Sequence, residues 1–310
     1  MKFALVFPGQ GSQSLGMMAA YGDSAIVRQT FAEASTALGR DLWQLASDGP
    51  AEAINQTVNT QPLMLTAAIA VYRLWCDAGG PRPEMVAGHS LGEYSALVAA
   101  GALDFVDAVP LVELRARAMQ EAVPAGTGAM AAIMGLDAAA VEAACAESAA
   151  GEVVQAVNFN TPEQTVIAGT KAAVERAAAA CKARGAKRAV LLPVSAPFHC
   201  SLMLPAAEKL RLRLAQIDIK APAIPVVNNV DALCLSEPQA IKEALVRQAA
   251  APVRWVASMR FMAAAGIDRV CECGPGKVLS GMAKRCADGL SGLPMDNRDG
   301  LRAALAAVLD

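Results

Sequence analysis

Short apolar runs alternate with longer amphipathic segments along most of the chain. The run Lys2–Phe7 ends in the turn-forming segment Pro8–Gln13, and the run Pro83–Ala87 leads directly into Gly88–Gly92. Apolar runs of this length between turn residues are typical of buried strands. Helical spacing follows each of them, and strands that alternate with helices predict a mostly parallel sheet covered on both faces.

The same alternation continues toward the C-terminus. The pattern predicts further strands at Ile224–Val227 and Arg269–Glu272, and helices at Ile26–Leu38, Gln61–Ala78, Glu93–Ala100, Ala108–Val123, Leu204–Gln216, Pro238–Ala250, Val253–Ala264 and after Gly274–Lys277. These segments together predict one large α/β unit.

The stretch that follows the glycine-rich turn Pro124–Gly128 has an order of its own. Its segments are the strands Ala129–Met134, Val153–Asn158, Thr165–Ala168 and Ala189–Leu192 and the helices Asp137–Ala149 and Thr170–Arg184. The order β-α-β-β-α-β is that of a ferredoxin-like unit. We therefore predict a small subdomain, residues 126–196, inserted into a larger one made of residues 1–125 and 197–310.

Composition excludes several classes of protein. The chain has 310 residues, 55% of them hydrophobic, but the uncharged stretch 189–207 contains three prolines. A spanning helix needs about 20 mostly apolar residues, and the N-terminal apolar run is too short for a signal peptide. We therefore expect a cytoplasmic protein. With 27 basic and 29 acidic residues, no nucleic-acid or membrane partner is expected.

Cysteine and histidine content limits the possible chemistry. The 8 cysteines are scattered, and the only 2 histidines are His89 and His199. Free thiols, buried for the most part, are expected rather than a disulfide framework. Cys271 and Cys273 lack the two further ligands that a zinc site needs, so we expect no metal. Histidine-dependent catalysis must use one of the two imidazoles.

The segment Gly88–Gly92 has the pattern G-x-S-x-G between a predicted strand and a predicted helix. In that context the pattern is typical of a nucleophile elbow, a tight turn that projects the serine hydroxyl outward. Glycines allow the close backbone packing of such a turn, and the helix N-terminus offers N–H groups to an oxyanion. Ser90 is therefore the candidate nucleophile, and a plain tight turn is the alternative.

A serine nucleophile needs a base. His89 leaves the elbow in a different direction from Ser90, so we expect it to be structural. His199, at the return from the inserted subdomain, is the preferred base because clefts form between domains. No acid is evident: Asp137 and the glutamates of the inserted subdomain are candidates by position, and a backbone carbonyl could orient the imidazole instead.

Arg115 and Arg117 lie on a largely apolar stretch of the helix predicted at Ala108–Val123. A buried arginine requires a partner with which its charge can pair. From the residues alone, the favoured interpretation for both is a salt bridge to a glutamate or a surface position.

Four motifs in order resemble one family closely, from Lys2 to about Leu301. They are Phe7–Gln13, Gly88–Tyr94, Gln120–Met130 and Gly274–Leu279. They resemble the malonyl-CoA:acyl carrier protein transacylases of bacterial type II fatty acid synthesis, whose fold also serves as the acyltransferase domain of polyketide synthases. The resemblance implies an α/β-hydrolase-like large subdomain with a ferredoxin-like small one.

The resemblance also implies residue roles. Ser90 would be the acylated nucleophile, with His199 as base and the Gln248 main-chain carbonyl orienting His199. The side chain of Gln10 and the N–H of Leu91 would form the oxyanion hole. Arg115 would bind the malonyl carboxylate, and Phe198 would crowd a branched α-carbon. The chain departs from the family at Ala249–Ala251, where bulkier or polar residues are frequent.

The implied partners are malonyl-CoA and acyl carrier protein, with no cofactor, and we expect a monomer. A hydrolase of acyl thioesters is one alternative, although it would have no use for Arg115. A catalytically idle module that binds carrier protein is another. The basic cluster Lys182, Arg184, Lys187 and Arg188 could dock an acidic carrier protein, or could be a solvated helix end.

Overall fold

The computed structural model describes residues 2–309 and contains two sheets. The strands within these residues are β1 (Phe3–Phe7), β2 (Met85–Gly88), β3 (Gly128–Met134), β4 (Val154–Thr161), β5 (Gln164–Thr170), β6 (Arg188–Leu191), β7 (Val226–Val227), β8 (Arg269–Glu272) and β9 (Ser291–Pro294). The α-helices in the same part of the chain are α1 (Ala25–Leu38), α2 (Leu42–Asp48), α3 (Ala51–Ile54), α4 (Thr57–Asp77), α5 (Gly92–Ala99), α6 (Phe105–Glu121), α7 (Ala138–Ser148), α8 (Lys171–Ala183), α9 (Leu204–Leu214), α10 (Pro238–Ala249), α11 (Trp255–Ala264), α12 (Val278–Cys286) and α13 (Arg298–Leu309).

The larger sheet is parallel throughout, in the order β7-β2-β1-β8-β9. All five residues of β1 are buried. Phe3, Leu5 and Phe7 belong to the core that includes α1, α4, α5 and α6, whereas Ala4 and Val6 pack with apolar side chains of α11 and α12. A parallel strand with helices on both sides has no face left for solvent. The sequence prediction of a covered parallel sheet is confirmed.

The smaller sheet is antiparallel, in the order β4-β5-β3-β6. Helices α7 and α8 pack on it around a separate core that includes Val141, Ile167 and Val174. This strand order and the sequence order β-α-β-β-α-β are those of a ferredoxin-like unit. We call residues 128–191 the small subdomain and the rest the large subdomain. The fold class is confirmed, and the boundaries at 126 and 196 stay a prediction.

Several elements differ from the sequence prediction. Helix α4 begins at Thr57, four residues before the predicted start, and α2, α3, β9 and α13 were not predicted. The predicted helix at Val253–Ala264 begins only at Trp255, because Val253 is extended and pairs with Asn158 of β4. Apart from α13, which has 12 residues, these differences involve short segments whose state depends on their neighbours.

Candidate active site

Three polar residues follow three neighbouring strands of the parallel sheet. Gln10 follows β1, Ser90 follows β2, and Asn229 follows β7. Phe7 pairs with Gly88 and Ala87 with Val227, so these strands end side by side. Ligands of open α/β sheets bind beyond the carboxyl ends of the strands, and the cleft that contains Gln10 and Ser90 lies there.

The elbow at Ser90 is a strained turn held by close packing. Ser90 has a φ of 53°, in the left-handed region that side chains other than glycine rarely adopt. A Cβ on Gly92 would lie 2.1 Å from the Phe7 carbonyl oxygen, so a glycine is required where the elbow meets β1. Asn229 fixes the turn: its Oδ1 accepts from the Ser90 N–H at 2.7 Å, and its Nδ2 donates to Gly88 O at 2.7 Å.

The hydroxyl of Ser90 meets His199 and not its sequence neighbour. Ser90 Oγ lies 2.7 Å from His199 Nε2, whereas His89 Nε2 lies 2.8 Å from Asn160 Oδ1 in β4. His199 Nδ1 lies 2.8 Å from the Gln248 carbonyl oxygen. A carbonyl only accepts, so Nδ1 carries the hydrogen and Nε2 is left free to accept the serine proton.

The position of Gln248 explains why its carbonyl is available. Gln248 is the penultimate residue of α10, and the last four carbonyls of a helix have no partner within it. The negative end of the helix dipole also favours a positive charge on the imidazole. Asp137, a candidate acid by position, instead caps α7 by accepting from the Ala140 N–H.

Burial keeps His199 neutral. Its side chain is buried, and this desolvation, together with the positive charge of Arg115, lowers its pKa to about 3. The imidazole is therefore unprotonated at neutral pH, as a general base must be.

Arg115 and Arg117 have different surroundings. The Arg117 side chain is 63% exposed and pairs with Glu113, as expected. Arg115 is 2% exposed. Its Nη1 donates to Gln61 Oε1 at 2.9 Å, and its Nη2 to Gln248 Oε1 at 2.9 Å and to Ser90 Oγ at 3.1 Å. The salt bridge expected for Arg115 is wrong, because helix α6 aims its guanidinium at the serine. Within residues 2–309 it makes no ion pair, and the charge of the buried Glu93 acts on it without direct contact.

The other predicted site residues lie around the same cleft. Gln10, Leu91 and Phe198 line it together with Ser90 and His199. Gln10 Nε2 donates to Thr57 Oγ1 at 3.2 Å. Leu91 directly precedes α5, where helix N–H groups have no partner within the helix. The small subdomain lines the cleft with Met130 and Asn158, and the segment that follows β6 lines it with Leu192 and Val194.

The chain matches the model of the acyl transferase domain family over residues 4–292. The chain belongs to this family. This acyltransferase is 59% identical over 305 residues to the malonyl CoA-acyl carrier protein transacylase of Escherichia coli K12, covering 98% of this chain and 99% of the relative. The protein of that name from Bacillus subtilis 168 is 48% identical over 286 residues, covering 92% and 90%.

Solved structures agree with this assignment. The acyl-carrier-protein S-malonyltransferase of Burkholderia pseudomallei superposes with a TM-score of 0.97 at 60% identity, covering 99% of this chain and 100% of that one. A malonyl-transacylase in complex with its type II polyketide synthase acyl carrier protein superposes with a TM-score of 0.97 at 52% identity, covering 99% and 100%. The resemblance to malonyl-CoA:acyl carrier protein transacylases is thus confirmed.

Three polar residues of this acyltransferase site were not predicted from the sequence: Gln61, Glu93 and Asn229. Asn229 could have been found, because it follows a predicted strand and the carboxyl ends of parallel strands converge. Gln61 and Glu93 lie within helices, where the pattern does not show which way a polar side chain points.

No helix between residues 2 and 309 combines the length and the apolar character that a membrane crossing requires.

Proposed function

We propose that this acyltransferase moves the malonyl group of malonyl-CoA to the phosphopantetheine thiol of acyl carrier protein, through an ester on Ser90. The observation that carries the proposal is the buried Arg115 guanidinium beside the serine hydroxyl. Its hydrogen bonds within residues 2–309 go to two amides and one hydroxyl. Within residues 2–309 no carboxylate contacts this buried charge directly, and Glu93 reaches it only through the Gln248 amide. A buried charge without a direct partner is costly, so the site favours an acyl group that brings its own carboxylate.

In the first half-reaction Ser90 Oγ attacks the thioester carbonyl while His199 Nε2 takes the hydroxyl proton. The tetrahedral oxyanion would be bound by the Leu91 N–H and the Gln10 side chain, which must turn from Thr57 toward it. Collapse of the intermediate expels the CoA thiolate, which takes the proton from His199. The malonyl ester on Ser90 then has its carboxylate on Arg115.

The second half-reaction runs the same steps with a different thiol. The phosphopantetheine thiol gives its proton to His199 and attacks the ester, and Ser90 leaves with that proton. A ping-pong cycle results. Malonyl also assists the base: its carboxylate cancels the Arg115 charge that lowers the pKa of His199. Acetyl provides no such carboxylate, and the guanidinium it leaves unpaired costs about 1–3 kcal/mol or more.

We further propose that the enzyme acts in the cytoplasm as a monomer and supplies fatty acid synthesis. In this proposal Phe198, which is buried beside His199 in the cleft, crowds an α-branched acyl group. Two similarities support the choice of substrate and partner. The chain is 59% identical to a relative named malonyl CoA-acyl carrier protein transacylase, and it shares its fold with a malonyl-transacylase that forms a complex with acyl carrier protein.

The test is the intact mass of the protein after mixing with malonyl-CoA, with acetyl-CoA and Ser90→Ala as controls. We expect a malonyl adduct on wild type, none on Ser90→Ala and little with acetyl-CoA. Addition of acyl carrier protein should then remove the adduct and load the carrier. Rapid CoA release without an adduct or loaded carrier would indicate a hydrolase. If neither an adduct nor CoA release is observed, the enzyme proposal fails and a catalytically idle module that binds carrier protein remains.

A further inference from the structure

Glu93 has a buried carboxylate beside the elbow that none of the proposed steps uses. It lies on α5 three residues after Ser90 and is 2% exposed. Its Oε2 accepts two hydrogen bonds, from Gln248 Nε2 at 2.9 Å and from the Asn229 N–H at 3.0 Å. Burial raises the pKa of Glu93 to about 7. Burial of a carboxyl group costs free energy, and groups with a pKa perturbed in this way cluster at functional sites. Glu93 is therefore a candidate for a role at the site.

The Gln248 side-chain amide lies between Glu93 and the reacting groups. Its Nε2 donates to Glu93 Oε2 and to the Ser90 carbonyl oxygen, both at 2.9 Å, and its Oε1 accepts from Arg115 Nη2 at 2.9 Å. A flipped amide would place its oxygen against two acceptors and its NH₂ against the guanidinium, which only donates. The two acceptors therefore fix one orientation of the amide.

That orientation determines where Arg115 lies. Nη2 is held by Gln248 Oε1 and also donates to Ser90 Oγ, whereas Nη1 is held by Gln61 Oε1. The two amide oxygens thus fix the plane of the guanidinium. A bidentate grip on a carboxylate depends on that plane, and a misplacement of about 1 Å is costly.

We propose that Glu93 is a positioning residue for malonyl selectivity: it fixes the Gln248 amide so that Gln248 Oε1 holds Arg115 in place beside Ser90. The proposal rests on the proposed function. Both donors reach the same oxygen of Glu93, so one acceptor oxygen is enough. Glutamine at position 93 can keep that oxygen, whereas leucine removes it.

The experiment measures single-turnover acylation of full-length protein by malonyl-CoA and by acetyl-CoA, followed by intact mass, and compares the ratio of the two rates. We expect Glu93→Leu to lower the malonyl-to-acetyl ratio about tenfold or more by slowing malonyl uptake selectively. Glu93→Gln should keep the ratio within about threefold of wild type, because its carbonyl oxygen can accept both hydrogen bonds. The matched control is Glu175→Gln, an exposed carboxylate on α8, which should leave both rates unchanged.

A second variant keeps the proposal testable if Glu93→Leu does not fold. Gln248→Met removes the amide but keeps the main-chain carbonyl for His199, and should lower the ratio as Glu93→Leu does. An unchanged ratio in Gln248→Met, or an equal fall of both rates in a folded Glu93→Leu, would overturn the proposal. Wild-type protein that takes up no malonyl would overturn the proposed function, and this proposal with it.

Discussion

At the scale of single residues, the site depends on the protonation of one imidazole. Burial and the neighbouring Arg115 hold the pKa of His199 at about 3, against an ordinary value of 6.5. Burial also lowers the pKa of His89. Because the unfolded chain binds protons to these histidines at higher pH than the folded one does, their contribution to stability is complete above about pH 6.5 and is lost as the pH falls below it.

The histidine protonation can be measured directly because the chain contains only 2 imidazoles. We expect the ring proton resonances of tag-free protein to show no titration of His199 between about pH 5 and 8. In Arg115→Met the pKa of His199 should rise, since a positive charge has gone. A His199 midpoint near 6.5 in wild type, assigned with His89→Gln, would contradict the neutral buried base.

At the scale of elements, the elbow between β2 and α5 depends on glycines at its contact with β1. Gly92 comes within van der Waals contact of the Phe7 main chain, which leaves no room for a side chain. Gly281 in α12 is a matched position, because a Cβ there meets no atom within 4 Å. The same substitution should therefore have opposite effects at the two sites.

We expect Gly92→Ala to lower the free energy of unfolding by about 1–3 kcal/mol, because the carbonyl of Phe7 or the elbow must move. It should also slow acylation of Ser90. Gly281→Ala should raise the free energy of unfolding by up to about 1 kcal/mol, since alanine is the better helix former. Urea denaturation of both variants measures the difference. Equal effects at the two positions would show that the close approach to Phe7 is not what requires a glycine.

At the scale of the whole molecule, the cleft exists only where the two subdomains meet. The Phe159 N–H of β4 donates to Val253 O, and the Val253 N–H donates to Val157 O. Asn160 Oδ1 contacts His89 Nε2, and the Cys286 thiol of α12 donates to Asn160 O. Main-chain and side-chain hydrogen bonds thus attach β4 to the large subdomain on two sides, which predicts that the subdomains unfold together.

The unfolding prediction can be tested because all 3 tryptophans, Trp43, Trp75 and Trp255, lie in the large subdomain. Their fluorescence reports that subdomain alone, whereas far-ultraviolet circular dichroism also includes α7, α8 and the antiparallel sheet. We expect the two urea transitions to coincide. Asn160→Ala should lower both midpoints together. A dichroism change that precedes the fluorescence change would show that the small subdomain unfolds independently.

The sequence by itself determined the features that depend on local pattern. The apolar run of β1, the elbow at Gly88–Gly92 and the β-α-β-β-α-β order each combine a short-range periodicity with turn residues. The presence of only 2 histidines was enough to limit the general base to His89 or His199. Edge strand β9 was missed because Ser291–Pro294 has little strand character of its own and becomes extended by pairing with β8.

Tertiary structure alone decided how the polar side chains meet. Arg115 and Arg117 are two residues apart on α6, yet one is buried beside Ser90 and the other faces solvent. Their sequence surroundings are almost the same, and the packing of α6 against α1, α4, α5 and α9 separates them. Gln248 meets Glu93 over 155 residues of chain. Periodicity describes one element at a time, whereas the direction of a buried charged side chain is set by the elements around it. Hydrogen bonds from distant parts of the chain offset the free energy that its burial costs.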